Sequence, residues 1–109
     1  MLLTILDGTG NTQKVIAHSQ EEIVDHSGVI IATNVPQEVI PANAFRSGWT
    51  LQNLGAHDMF VNDIGAATSS YGSYLVTPKA TIKSSDSGVS INTISVSGTV
   101  GESFTCREW

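Results

Sequence analysis

The amino-acid sequence predicts an all-β protein, a small jelly-roll-like β-sandwich of about eight to ten short antiparallel strands. Three features carry this prediction. Short apolar or alternating runs recur at roughly 8–12-residue spacing, as in sandwiches and barrels. Turn-forming Gly, Asn, Asp, Ser and Pro stand between the runs. No segment carries the apolar repeat of a helix of three turns.

The first predicted element is an N-terminal hairpin. Apolar runs at residues 2–6 and 13–17 flank "DGTGN", which supplies the residues that a tight reversal needs. We expect this hairpin, within residues 1–18, to form an arm against neighbouring subunits, with Leu2 and Leu3 as candidate contacts. The apolar start lacks a preceding cationic segment and is too short to span a bilayer, so we expect no signal peptide and synthesis in the host cytoplasm.

The next elements are less regular. The segment "HSQEEIVDHSG" fits a polar strand, a loop or one helical turn. The β-branched run at residues 29–32 predicts a strand buried on both faces. Pro36 and Pro41 bracket "QEVI", which predicts an edge strand because proline cannot donate to a ladder.

Apolar and polar residues alternate clearly in the second half of the chain. Trp49 and Leu51 share one face of a strand, "NLGAHD" turns the chain, and Met59 and Val61 share a face of the next, so we predict a hairpin. Short strands are expected around residues 74–76, 81–83, 94–97 and 104–107. A length of 109 residues suits one domain over residues 1–109.

Charge and cysteine content exclude some classes of partner and of covalent cross-link. Five Lys and Arg against ten Asp and Glu give a net charge of −5, with no basic run that could neutralise phosphates, so nucleic acid is not an expected partner. The single cysteine, Cys106, excludes an internal disulfide. Because Cys106 shares a strand face with Phe104, we interpret it as a core residue rather than a reactive thiol.

No motif predicts a reaction, so we expect no enzyme and no cofactor. "GTG" lacks the helix and lysine of a phosphate loop, and no Gly-x-Ser-x-Gly occurs. One polar cluster would converge on a divalent ion if it were helical and would diverge on a strand. We interpret it as a solvated segment; its members are His18, Glu21, Glu22, Asp25 and His26.

Protein binding needs fewer special groups. Tyr71 and Tyr74 are candidate interface anchors. Trp109 would fray at the terminus unless it docks, either on its own core or on another chain. Arg46 and Arg107 are candidates for pairing with a neighbour's carboxylates, and local ion pairs are the alternative for both.

The stretches "VIPANAFRSGWTLQNLGAHDMFVNDIGAAT", "GSYLVTPKATI" and "ISVSGTVGESFTCREW" resemble small virion proteins of tailed bacteriophages. The similarity is a pattern of strand and turn residues over the last two thirds of the chain. The matching positions are Asn43, Arg46, Leu51, Asn53, Gly65, Ala66, Ala67, Ile94, Val96 and Gly98.

The resemblance implies a capsid decoration or cement protein on the virion surface. Such a protein would bind the outer shell between major capsid subunits and stabilise it, with copies of itself as further partners and no membrane contact. One alternative is a structural component of the tail, neck or head fibre. Another is a carbohydrate-binding sandwich module, which an exposed aromatic pair such as Tyr71 and Tyr74 would favour.

Overall fold

The computed structural model describes residues 22–84 and 88–109, together with the backbone of two N-terminal strands. All of the regular structure in these residues is β-strand. The strands, in chain order, are β1 (Leu2–Leu6), β2 (Thr12–Ile16), β3 (Val24–Asp25), β4 (Gly28–Val29), β5 (Gln37–Ile40), β6 (Trp49–Asn53), β7 (Met59–Asn62), β8 (Tyr74–Val76), β9 (Thr81–Lys83), β10 (Ile94–Ser97) and β11 (Ser103–Glu108).

Strands β1 and β2 form the predicted N-terminal hairpin. They pair antiparallel, with Leu2 opposite Ile16 and Leu6 opposite Thr12, and make a two-stranded sheet of their own. The side chains of Leu2 and Leu3 lie outside the described residues, so their predicted contact with neighbours stays a prediction.

The other strands form two antiparallel sheets. One has the order β5-β10-β7-β8, and the other has the order β3-β11-β6-β9, with β4 also paired to β11. Strands β3 and β4 are two parts of one strand, because Val24 lies opposite Glu108 and Val29 opposite Ser103 in an unbroken register. Between them, the His26 N–H donates to the Cys106 carbonyl at 2.7 Å.

The strand order is that of a jelly roll. With β3 and β4 counted as one strand, the described residues of the sandwich form eight strands, ordered first-eighth-third-sixth in one sheet and second-seventh-fourth-fifth in the other. This order results when one long hairpin, with first paired to eighth and fourth to fifth, is rolled into two layers. The predicted fold class is therefore confirmed.

The core lies between the two sheets because alternate residues of each strand point inward. The fully buried Trp49 and Leu51 of β6 face residues of β7 and β10 such as Val61. Cys106 is also part of this cluster, as its alternation with Arg107 predicts. The buried apolar set is Ile30, Ile40, Trp49, Leu51, Met59, Val61, Val76, Ile94, Val96, Phe104 and Cys106.

The predicted hairpin between the strands at Trp49 and Met59 is wrong. Strand β6 pairs with β11 and β9, whereas β7 pairs with β10 and β8, so the connecting loop crosses from one sheet to the other. Both strands carry an apolar face, and these faces pack across the core instead of lying side by side. Alternation shows which residues point inward, but it does not show which strand is the neighbour.

The run at residues 29–32 is also not a strand buried on both faces. Strand β4 ends at Val29, which is half exposed, and only Ile30 enters the core, while Ile31 is 72% exposed. The chain then turns at Asn34, whose φ is 58°. The outer face of this sheet is exposed to solvent, so only the inward-pointing side chain, that of Ile30, packs in the core. By contrast, β5 is the predicted edge strand.

Candidate interaction surface

Three exposed aliphatic side chains lie on neighbouring loops at one end of the sandwich. Ile31 and Val35 belong to the loop after β4, and Val100 belongs to the turn between β10 and β11. Their exposed fractions are 72%, 52% and 55%. We call these three residues the apolar tip. Branched side chains in water are unfavourable, so three of them on adjoining loops make this end a candidate binding surface.

Hydrogen bonds hold the two loops of the apolar tip together. The Asn34 N–H donates to the Gly98 carbonyl at 2.8 Å, and the Gly101 N–H donates to the Ile30 carbonyl at 2.9 Å. The Val100 N–H donates to Thr33 Oγ1 at 2.9 Å. Because the backbone is fixed in this way, a partner would bind the tip with little ordering cost.

Gly98 and Gly101 are each required by this geometry. A Cβ at Gly98 would lie 3.0 Å from Met59 Cγ, so a side chain there would press on the core. Gly101 has a φ of 85°, a left-handed conformation that residues with a Cβ rarely adopt. The turn that presents Val100 therefore depends on two glycines.

An exposed ion pair borders the apolar tip. His57 Nδ1 lies 2.5 Å from Glu102 Oε2, and the His57 N–H donates to Glu102 Oε1 at 2.9 Å. The hydrogen bond and charge of Glu102 raise the pKa of His57, and the hydrogen bonds from His57 lower the pKa of Glu102. The sequence predicts a turn at His57 but carries no signal of this pair, because its members are 45 residues apart.

The opposite end of the sandwich is held by a buried network around Glu108 of β11. Glu108 accepts from Arg46 Nε at 3.2 Å and from Asn43 Nδ2 at 2.9 Å, and its other oxygen lies 2.6 Å from His26 Nε2. Burial disfavours the charged carboxylate. The three hydrogen bonds outweigh that effect and hold the pKa of Glu108 below its usual value.

Arg46 is used within its own chain. Its guanidinium also donates to the carbonyls of Ser90, Asn92 and Pro41, at 2.6, 2.9 and 2.7 Å. The side chain is fully buried, so it offers no surface to a neighbouring subunit. The prediction that Arg46 pairs with a neighbour's carboxylate is therefore wrong, and the alternative, a local ion pair, describes this residue.

The other predicted interface residues of this half lie nearer the surface. Arg107 is exposed on the outer face of β11, opposite Asp25. Trp109 is half-buried, and its backbone bonds to Gly48 in both directions at 3.0 Å. A Cβ on Gly48 would lie 2.6 Å from the Trp109 ring, so the indole packs against this glycine of its own chain. Contacts of Arg107 and Trp109 with a neighbouring chain stay predictions.

Tyr71 and Tyr74 are both exposed, at 98% and 56%. Tyr71 lies in the loop between β7 and β8. That loop folds over the outer face of its sheet, where the Ala67 N–H donates to Ser95 Oγ at 3.0 Å and Asn62 Nδ2 donates to the Ala66 carbonyl at 3.3 Å. Tyr71 therefore projects from a supported loop, whereas Tyr74 is the first residue of strand β8.

Asp25 and His26, two described members of the polar cluster, point in different directions. Asp25 points outward and accepts from the Ser27 N–H at 3.0 Å, whereas His26 points inward to Glu108. His18 and Glu21 lie outside the described residues. In residues 22–84 and 88–109, no three His, Cys, Asp or Glu side chains come together as metal ligands.

Cys106 is fully buried in the core. Burial, with a smaller contribution from the charge of Glu108, raises the pKa of its thiol to about 12. Since the thiolate is the nucleophile, this side chain is inert at neutral pH.

Comparisons with family models, with curated proteins and with solved structures found no match. Within the described residues there is no helix of the length and hydrophobicity needed to cross a membrane.

Proposed function

We propose that this chain is a capsid decoration protein that binds the outer surface of a phage shell between major capsid subunits and stabilises it. The observation that carries the proposal is the apolar tip. It presents Ile31, Val35 and Val100 on hydrogen-bonded loops at one end of a rigid sandwich. A small preorganised apolar surface of this kind is suited to a shallow site on a larger protein.

The fold and the charge also support this role. Jelly rolls are common in viral capsid proteins, and the strand order found here is compatible with this role. A net charge of −5 disfavours attachment to nucleic acid. Many identical sites on a shell would let a modest contact per copy add up to a large effect on the particle.

The test is the copy number of this protein on gradient-purified particles, measured relative to the major capsid protein by quantitative mass spectrometry. We expect a ratio comparable with that of the shell subunit. A handful of copies per particle would support the tail, neck or head-fibre alternative, and absence from particles would overturn a virion role.

The copy number of variants of the apolar tip tests whether the tip makes the contact with the shell. Val100→Asp places a charge in the tip and should lower occupancy at least about tenfold, because an unpaired charge would be buried on binding. Ile64→Asp is the matched control, since Ile64 is 71% exposed but lies at the other end of the sandwich. Equal occupancy of the two variants would contradict binding through the tip.

A further inference from the structure

Strand β1 of the N-terminal hairpin has one edge that the described residues leave unpaired. It pairs with β2 on one side, and none of the described strands pairs with its other side. Its sequence, "LLTIL", holds no charge, no proline and no glycine. An edge of this composition is a template for pairing with another chain. A two-stranded hairpin is only marginally stable in water, so a further strand would stabilise it.

Two edges of the sandwich are blocked in ways that the β1 edge is not. The Gln37 amide donates to the Val29 carbonyl at 3.0 Å and accepts from the Ile31 N–H at 3.0 Å, so it occupies backbone groups at the end of the β4 edge. Strand β5 lies between Pro36 and Pro41, which limit any pairing to its four residues. We therefore expect pairing with another chain at β1 rather than at these two edges.

The sequence of β1 is self-complementary. Residues directly opposite each other in an antiparallel pair lie on the same face, so a two-fold pairing of identical strands must be centred on a residue. Centring on Thr4 aligns all five residues of β1 with those of a second copy. The pairs are then Leu2 with Leu6, Leu3 with Ile5, and Thr4 with Thr4. Aliphatic residues meet aliphatic residues, and Thr–Thr is among the cross-strand pairs that stabilise antiparallel sheets.

The edge of β2 does not suit the same contact. Two-fold pairing of all five residues of β2, "TQKVI", would be centred on Lys14. It would place two ammonium groups directly opposite each other, which is destabilising, and an edge lysine is a common device against strand pairing. The hairpin therefore has one edge suited to a second copy and one edge that opposes it.

We propose that two copies of this chain dimerise by antiparallel pairing of their β1 strands about a two-fold axis at Thr4. The result is a continuous four-stranded sheet with the order β2-β1-β1-β2, in which the lysine-bearing β2 strands form the outer edges. The same edge is used by both copies, so the contact closes with two chains and does not extend into a fibre.

The connections to the sandwich permit this dimer. Leu2 pairs with Ile16, from which the chain continues towards the sandwich. Antiparallel pairing of β1 places the Ile16 residues of the two copies at opposite ends of the four-stranded sheet. The two sandwiches therefore leave the sheet at opposite ends and do not collide.

Sedimentation velocity of the full chain over a range of concentrations tests the dimer. We expect an equilibrium between one chain and two. Thr4→Glu should weaken the dimer about fivefold or more, because it places two carboxylates opposite each other on the axis. Within the hairpin the new carboxylate faces Lys14, so the hairpin itself is retained. Thr12→Glu makes the same change on β2 and should leave the dissociation constant unchanged.

Cysteine cross-linking tests the register. Thr4→Cys should give a disulfide-linked dimer on mild oxidation, because opposite Cα atoms of an antiparallel pair are about 4.5–5.5 Å apart, within the range of a disulfide. Thr12→Cys, the same change on β2, should stay monomeric on a non-reducing gel. Leu2→Cys and Leu6→Cys should cross-link when they are mixed and not separately. The native Cys106 is buried and should not react.

The proposal is overturned if the full chain stays monomeric at every concentration. Equal dissociation constants for Thr4→Glu and Thr12→Glu, or equal cross-linking of Thr4→Cys and Thr12→Cys, would also overturn it. Cross-linking of Leu2→Cys with itself would overturn the two-fold axis at Thr4. Tryptophan fluorescence shows whether each variant keeps a folded sandwich. All of these measurements use the protein free of particles, so the dimer and the decoration role can fail independently.

Discussion

At the scale of single residues, a buried carboxylate joins segments that are distant in sequence. Glu108 contacts His26, 82 residues away, and Arg46, 62 residues away. Arg46 in turn binds carbonyls of the loop before β10. Charged groups are rarely buried unless all of their hydrogen-bonding positions are used, and the contacts made here fit that requirement.

Glu108→Ala should therefore be strongly destabilising. It leaves the buried guanidinium of Arg46 without its counter-ion, and breaking a buried pair in this way costs about 3–5 kcal/mol of unfolding free energy. Urea denaturation followed by tryptophan fluorescence measures this loss. Glu38→Ala removes an exposed carboxylate of β5 and should stay within about 0.5 kcal/mol of the parent. A loss for Glu108→Ala no larger than that of the control would show that the network adds nothing.

At the scale of elements, the loops are ordered by side chains as well as by backbone. Asn53, fully buried at the end of β6, donates from Nδ2 to the carbonyls of His57 and Val76 at 2.7 and 2.9 Å and accepts from the Gly55 N–H at 2.8 Å. This holds the loop between β6 and β7 against the end of β8. The pair of His57 and Glu102 then attaches that loop to the turn before β11.

The His57–Glu102 pair should make loop stability depend on pH. The raised pKa of His57 stabilises the folded state, and this stabilisation is fully present at pH values below the unfolded pKa of about 6.5. It is lost as the pH rises through the folded-state pKa of His57. The lowered pKa of Glu102 stabilises the folded state at pH values above the unfolded pKa of about 4.5. This stabilisation is lost as the pH falls through the folded-state pKa of Glu102. The pair therefore contributes most between these two pH values.

The difference in urea midpoint between the parent and Glu102→Gln, measured from pH 3.5 to 8.5, tests this expectation. It should be largest near pH 5 to 6, between the two unfolded pKa values, and smaller at both extremes. Glu38→Gln, which makes the same change at an exposed position of β5, controls for the general change in charge. A difference that does not vary with pH would contradict the assignment.

At the scale of the whole molecule, one C-terminal strand organises an entire sheet. Strand β11 pairs with β3, β4 and β6, and its inward residues Phe104 and Cys106 enter the core. Its partners come from the beginning and the middle of the chain. Such non-local pairing predicts slow folding, because long loops must close before the contacts form.

Two deletions separate the sandwich from the hairpin arm. Strands β1 and β2 pair with each other in a sheet separate from the other two, so removing residues 1–21 should leave a cooperatively folded sandwich. Removing residues 103–109 should abolish cooperative unfolding, because the central strand of the sheet is lost. Circular dichroism during thermal unfolding measures both. Loss of cooperativity in the N-terminal deletion would mean that the arm is part of the fold.

The pattern of residues by itself determined the class of fold and the positions of most strands. Period-two alternation and turn residues place Trp49, Leu51 and Cys106 in the core, and prolines mark β5 as an edge. These signals are local, because each depends on a few neighbouring residues. For that reason they could be interpreted without knowing the partners of any strand.

Only the tertiary structure decided which strands are neighbours and which polar groups meet. Strands β6 and β7 look like a hairpin in sequence, yet they face each other across the core. The contacts of Glu108 and the pair of His57 with Glu102 join residues separated by tens of positions. Alternation indicates the direction of a side chain and carries no information on what lies opposite it, so these features depend on how the two layers pack.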